Sequence, residues 1–138
     1  MGKASFGAGC FWGVEDHFMK REGVLSTQVG YTGGTLKNPI YENLGDHTET
    51  LELEYNEKII SYKKLLEEFF KIHHSQLQQK RQYRSAIFYH SERQKELAQK
   101  AKALHPGALT AIEPASVFYR AEEYHQKYLQ KHNSAVCE

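Results

Sequence analysis

Apolar and polar residues alternate from residue 47 to 56. Leu51, Leu53 and Tyr55 fall on one side, and Glu52, Glu54 and Asn56 on the other. A period of two predicts a strand with one face on a core and one in water. The same parity carries Glu49 and His47 onto the apolar side. The small, alternating run Lys3–Ala8 and the β-branched run Val24–Tyr31 predict two more strands. Tyr83–Tyr89 predicts a fourth, with Tyr83, Ser85, Ile87 and Tyr89 on one face. Between them the apolar spacing becomes helical. Val14 and Phe18 are four apart, and Tyr62, Leu65, Leu66, Phe69 and Phe70 follow the stripe of a helix packed on a sheet. Ser61 caps that second helix. Ser91 with Gln94 forms a capping-box pattern opening a helix over Glu92–Leu104, and His105-Pro106-Gly107 stops it. Leu109–Ile112 predicts a short edge strand. Ala121 to about Lys131 predicts a last helix, with Ala121, Tyr124 and Tyr128 on one stripe.

The order β-α-β-β-α-β with a helical C-terminal extension predicts an α+β fold. The expected form is a two-layer sandwich with a ferredoxin-like core and helices on one face of a mixed or antiparallel sheet. No repeat or internal boundary appears, so residues 1–138 read as a single catalytic domain. Its tail, about 132–138, carries few apolar anchors and is expected to be mobile. Thr35 to Asp46 is a long loop, the kind that often carries function.

Composition narrows the partners. With 40% hydrophobic and 25% charged residues, the chain has the make-up of a globular domain, not of a disordered or membrane protein. Eighteen basic against 17 acidic side chains leave a net charge of +1, which gives no argument for nucleic acid or a membrane surface. No apolar run is long enough for a signal peptide or a membrane helix. The expectation is a cytoplasmic monomer, where two cysteines serve redox chemistry more readily than a structural crosslink. His73-His74 read as a solvated helix end, because no cysteine or acidic cluster accompanies them as metal ligands.

Candidate chemistry concentrates at Gly9-Cys10-Phe11-Trp12-Gly13, where the first strand gives way to the first helix. A helix N-terminus stabilises an anion, so Cys10 is a candidate thiolate nucleophile. Glu15 and Asp16, read as first-turn residues, oppose that ionisation. The alternative is that Cys10 is a small core residue and Trp12 a core anchor. Glu49 also has two readings. On the apolar face of its strand it is partly desolvated, which raises its pKa and suits a general acid. If the strand begins only at Thr50, Glu49 lies in exposed loop.

Gly9-Cys10-Phe11-Trp12-Gly13 resembles the signature of the A-type peptide methionine sulfoxide reductases. Four further strings follow in that family's order: Gly30-Tyr31-Thr32-Gly33-Gly34 with Asn38-Pro39-Ile40-Tyr41, Asp46-His47-Thr48-Glu49, Gln82-Tyr83-Arg84-Ser85, and Ala121-Glu122-Glu123-Tyr124-His125-Gln126. The resemblance covers nearly the whole chain. It implies thiol-dependent reduction of the S epimer of methionine sulfoxide, free or in proteins. It implies that Cys10 attacks sulfur, that Glu49 is the acid, and that Tyr41 and Tyr83 donate to the sulfoxide oxygen. Phe11 and Trp12 would hold the S-methyl group. Cys137 would resolve a Cys10 sulfenic acid as a disulfide, recycled by thioredoxin, with no cofactor. His47, Glu122, Tyr124 and His125 are expected to be structural.

Three departures stand out. Asp46 occupies a position the family usually gives to glycine. The segment before Gln82 is short and lacks the family's Gly- and Asp-containing run, leaving Gln78 or Gln82 as polar groups that could contact substrate there. The tail carries one cysteine where many relatives have two. Two other function classes fit parts of the pattern. A thiol sensor or peroxidase would use Cys10 and Cys137 without Glu49, and a binding module would keep the pocket without turnover.

Overall fold

The structure, a computed structural model, describes residues 1–132. Cys137 and the tail beyond His132 lie outside the described residues. The elements follow the order β1 (Gly2–Ala8), α1 (Phe11–Met19), β2 (Val24–Thr32), β3 (Thr48–Tyr55), α2 (Tyr62–Lys71), β4 (Ser85–Tyr89), α3 (Glu92–Ala103), β5 (Ala111–Pro114), β6 (Tyr119–Arg120) and α4 (Tyr128–His132). The strands form one sheet in the order β5-β4-β1-β3-β2-β6. Its centre, β4-β1-β3-β2, is the antiparallel ferredoxin-like core that the element order predicts. β5 adds parallel to β4 and β6 antiparallel to β2, so the sheet is mixed.

One row of the register explains the core. Ile87, Phe6, Leu51 and Val29 stand side by side on β4, β1, β3 and β2, and none is exposed. Phe6 meets Phe18 of α1 and Tyr62 and Phe69 of α2, with ring centroids 5.5, 6.2 and 5.1 Å apart. The helical stripes read from the sequence are therefore the faces laid on this row. Burying each such aromatic or aliphatic side chain is worth about 2 kcal/mol. The predicted caps form as well: Ser61 accepts from the Lys64 amide, and Ser91 from the Gln94 amide.

The opposite face is polar only in part. β5 and β6 lie at opposite edges, so residues 115–118 must cross the second face to join them. Thr32 Oγ1 donates to the Val117 carbonyl at 2.7 Å, and a Cβ at Gly30 would collide with the Phe118 ring and the Tyr119 carbonyl. Glycine is needed there for close approach. Thr48 and Thr50, which the strand parity places opposite the core face, are also completely buried: Thr50 pairs with Gly30 beneath this crossing, and Thr48 Oγ1 donates to the Arg81 carbonyl and accepts from Arg84.

Several local expectations are corrected. Arg81–Tyr83 is a 3-10 turn and the fourth strand starts at Ser85, so Tyr83 does not belong to that strand's face. The short edge strand is Ala111–Pro114 rather than 109–112. The predicted last helix is broken. Glu123–His125 forms a 3-10 turn, Lys127 takes a left-handed φ of 51°, and only then does α4 begin. The Gln126 side chain explains the break. It accepts from the Val29 amide and donates to the Val29 and Ala121 carbonyls, satisfying β2 instead of continuing a helix. α1 starts at Phe11, so Glu15 and Asp16 fall beyond its first turn. His73 is not solvated: its ring nitrogens lie 2.8 Å from the Phe69 carbonyl and 2.7 Å from Ser85 Oγ.

Candidate active site

The site lies one pleat beyond the core row, at the end of β1 and the start of β3, where α1 begins. Gly9 adopts φ 91°, a conformation glycine reaches without strain, and turns the chain from β1 into the helix. Cys10 follows as the N-cap of α1 and is partly exposed. Its side chain makes no capping bond to the helix. The first helical amide, Phe11 N–H, instead donates to Glu49 Oε1 at 3.2 Å. Glu49 thus sits against the same helix end as Cys10.

The strand parity holds for Glu49. β3 begins at Thr48, and Glu49 is 1% exposed on the face it shares with Leu51. It stands opposite Tyr31 in the β2–β3 register. Burial pushes its carboxyl pKa up to about 7, against the opposing pull of donated bonds from Gln82 and from the Phe11 amide. Glu49 therefore holds a proton through the acid side of neutrality.

The two candidate tyrosines arrive from different loops. Tyr41 comes from the long loop between β2 and β3, is 37% exposed, and has its amide bonded to Glu122 Oε2 at 3.0 Å. Tyr83 comes from the 3-10 turn and is hydrogen-bonded to Tyr41. Burial, then the nearby Glu49 and Tyr41, push the Tyr83 pKa up to about 12. It is therefore a neutral O–H donor across the physiological range. Glu49, Tyr83 and Tyr41 form a continuous polar set beside the α1 N-terminus.

The aromatic side of the site is built from α1 and the C-terminal segment. Phe11 is buried, 5.8 Å from the Tyr31 ring and 5.1 Å from the His125 ring. Trp12 is half-buried and lies flat on Tyr128, with centroids 3.6 Å apart and planes 6° from parallel. The indole Nε1–H donates to His125 Nδ1 at 2.9 Å. His125 is 1% exposed, and burial lowers its pKa, so it is a neutral ring whose Nε2 carries the proton. That Nε2 has no hydrogen-bond partner among the described residues. Tyr41 and Tyr124 close over the same ring, at 4.7 and 4.1 Å.

Sequence reasoning placed Glu122, Tyr124 and His125 near the site as packing residues, and they contact it directly. Glu122 accepts from the Tyr31 hydroxyl at 2.7 Å and from the Tyr41 amide, bonds that outweigh its burial and hold its carboxyl below the usual range. What the sequence did not reveal is Glu15. Its buried carboxylate accepts from Thr27 Oγ1 and from the Lys127 amide, which clamps the turn that carries Tyr128. His47 is structural, as expected: its ring nitrogens contact the Leu36 carbonyl and the Gly34 amide.

The departures from the family pattern also have places. Asp46 accepts from the Thr35 amide and hydroxyl and from the Leu36 amide, at 2.7 to 3.2 Å. Arg81 donates to the Asp46 and Gly33 carbonyls. Together they tie both ends of the Tyr41 loop. Gln78 is exposed, whereas Gln82 Nε2 donates to Glu49 Oε2 at 2.5 Å.

Similar proteins show the family. The family model described as peptide methionine sulfoxide reductase matches residues 2–138. The chain belongs to this family. A peptide methionine sulfoxide reductase MsrA of Methanothermobacter thermautotrophicus is 45% identical, over 98% of this chain and 90% of its own length. The crystal structure of reduced Mxr1 from Saccharomyces cerevisiae superposes with a TM-score of 0.92 at 31% identity, over 99% of this chain and 88% of that one. Mxr1 in complex with Trx2 matches with a TM-score of 0.69 at 28% identity, over 92% and 84% of the two chains. As a methionine sulfoxide reductase the protein is an oxidoreductase that returns methionine sulfoxide to methionine. Among the described residues no group of three or more His, Cys, Asp or Glu could hold a metal, and no helix is long and apolar enough to cross a membrane.

Proposed function

We propose that residues 1–138 act as one catalytic domain that reduces the S epimer of methionine sulfoxide, in proteins or free, with Cys10 as nucleophile and Glu49 as acid. The observation that carries this reading is the buried carboxyl of Glu49, with a pKa near neutrality, held on the helix end that Cys10 caps. The substrate methyl group packs at Phe11 and Trp12. The sulfoxide oxygen receives the Glu49 proton and hydrogen bonds from Tyr41 and Tyr83, which makes the substrate sulfur electrophilic. Cys10 thiolate attacks that sulfur, forming an S–S bond as the protonated S–O bond breaks and the oxygen leaves as water. Water then adds to the Cys10 sulfur as the S–S bond breaks, releasing methionine reduced by two electrons and leaving Cys10 as a sulfenic acid.

Cys137 then displaces water from the sulfenic acid to form a disulfide, and a dithiol restores both thiols by exchange. Thioredoxin is the reductant in this proposal, supported by the capture of the yeast relative with Trx2. We include in it a monomer working in the reducing cytoplasm, the compartment where a recycled thiol pair operates.

The test is reduction of a peptide carrying each sulfoxide epimer in turn, with dithiothreitol. The wild type should consume only the S epimer, and Cys10→Ser and Glu49→Ala should consume neither. Cys137→Ser should complete one turnover without reductant and fail to recycle with thioredoxin. A wild type that consumes neither epimer while its thiols stay intact would leave the protein a binding module.

A further inference from the structure

Glu49 has one partner on each oxygen. Oε1 faces the Phe11 amide, which belongs to the rigid first turn of α1. Oε2 faces the Gln82 carboxamide, which belongs to the 3-10 turn that also carries Tyr83. No cation forms an ion pair with this carboxyl among the described residues, although it is 1% exposed. The remaining titratable groups around it are the hydroxyls of Tyr31 from β2 and Tyr83, both held neutral by burial. Gln82 is therefore the side chain that can set how the carboxyl is oriented and how readily it ionises.

We propose that Gln82 is a positioning residue for the reduction, anchoring Oε2 of Glu49 through its carboxamide and fixing the carboxyl beside the Tyr83–Tyr41 hydroxyl pair. This rests on the reading of Glu49 as the acid. The bond at 2.5 Å is a donor to an oxygen that bears charge when Glu49 is ionised, and such bonds are about twice as strong as neutral ones. Gln82 thus favours the carboxylate over the acid and opposes the effect of burial. It does so from the 3-10 turn that follows the short segment, and it couples Glu49 to the turn that places Tyr83.

The consequence is measurable on Glu49 itself. The side-chain carboxyl is followed by carbon-13 NMR as pH is raised, in a Cys10→Ser background that removes the thiol charge. Gln82→Met, similar in length but without the donor, should move the Glu49 midpoint upward by about one unit. Gln82→Asn, which withdraws the carboxamide by one carbon, should move it the same way and decides the matter if the methionine variant does not fold. With Cys10 restored, the alkaline limb of single-turnover methionine formation should shift by the same amount. Midpoints that stay at the wild-type value in both variants would reduce Gln82 to a structural residue. If Glu49 titrates in the parent protein like an exposed glutamate, or if Glu49→Gln keeps the wild-type rate at every pH, the reading of Glu49 as the acid fails instead.

Discussion

Glu49 and Tyr31 stand opposite one another across β3 and β2, with 1% and 0% of their surfaces exposed. An ionisable carboxyl in that place costs stability whenever it is charged. Its pKa is raised from 4.5 to about 7, so the folded state binds a proton that the unfolded state has lost. The folded state is therefore favoured below the unfolded pKa, and that advantage disappears as pH rises through about 7. At pH 8.5 the penalty is on the order of 3 kcal/mol. Glu49→Gln should leave the denaturation midpoint almost unchanged at pH 4.5 and raise it clearly at pH 8.5, while abolishing reduction at both. Chemical denaturation at the two pH values checks this.

Trp12 is the only tryptophan, so the emission comes from the one indole that stacks on Tyr128 and donates to His125. Tyr128→Ala should cost about 1 kcal/mol for the lost ring contact. It should also shift the emission to the red as water reaches the indole. An unchanged spectrum would mean that Tyr128 does not cover Trp12 in solution.

Glu15 is expected to matter more than its position outside the polar site suggests. Glu15→Ala strands the Lys127 amide and the Thr27 hydroxyl at the seam between α1, β2 and the C-terminal segment. Losing hydrogen bonds to a buried carboxylate should cost about 3 kcal/mol. Turnover should fall too, because the turn that carries Tyr128 and follows His125 is released. Thermal unfolding and the KM for a sulfoxide peptide together test both parts.

Asp46 should hold the Tyr41 loop over a wide pH range. Donated bonds from Thr35 keep its carboxyl well below the usual range, so its hydrogen bonds contribute in full above the ordinary carboxylate pKa and are lost only as pH falls through the lowered one. Asp46→Gly, which removes the acceptor, should speed hydrogen exchange at the Thr35 and Leu36 amides. It should leave exchange in the β1–β3 core unchanged. Slow exchange at Thr35 in the variant would show that Arg81 anchors the loop by itself.

Much of this was legible in the order of residues. The period of two in β3 placed Glu49 on the core face, because alternation is a local property of extended backbone. The stripes of α1 and α2 and the serine caps depend on neighbours three or four residues away, and they formed where predicted. The cysteine at the strand-to-helix turn was visible for the same reason.

What the sequence by itself determined is the element order of the ferredoxin-like core and the position of Cys10 at a strand-to-helix turn, each read from local periodicity; it left Glu49 between a buried strand position and an exposed loop, and the start of β3 at Thr48 decided for burial. The tertiary structure decided the rest. Gln126 bonds to Val29, Glu15 to Lys127 and Gln82 to Glu49, over separations of 97, 112 and 33 residues. Such pairings leave no periodic trace. A helix pattern over 121–131 gave way to a 3-10 turn and a left-handed Lys127 because long-range hydrogen bonds to β2 and α1 outweigh the modest local preference for helix.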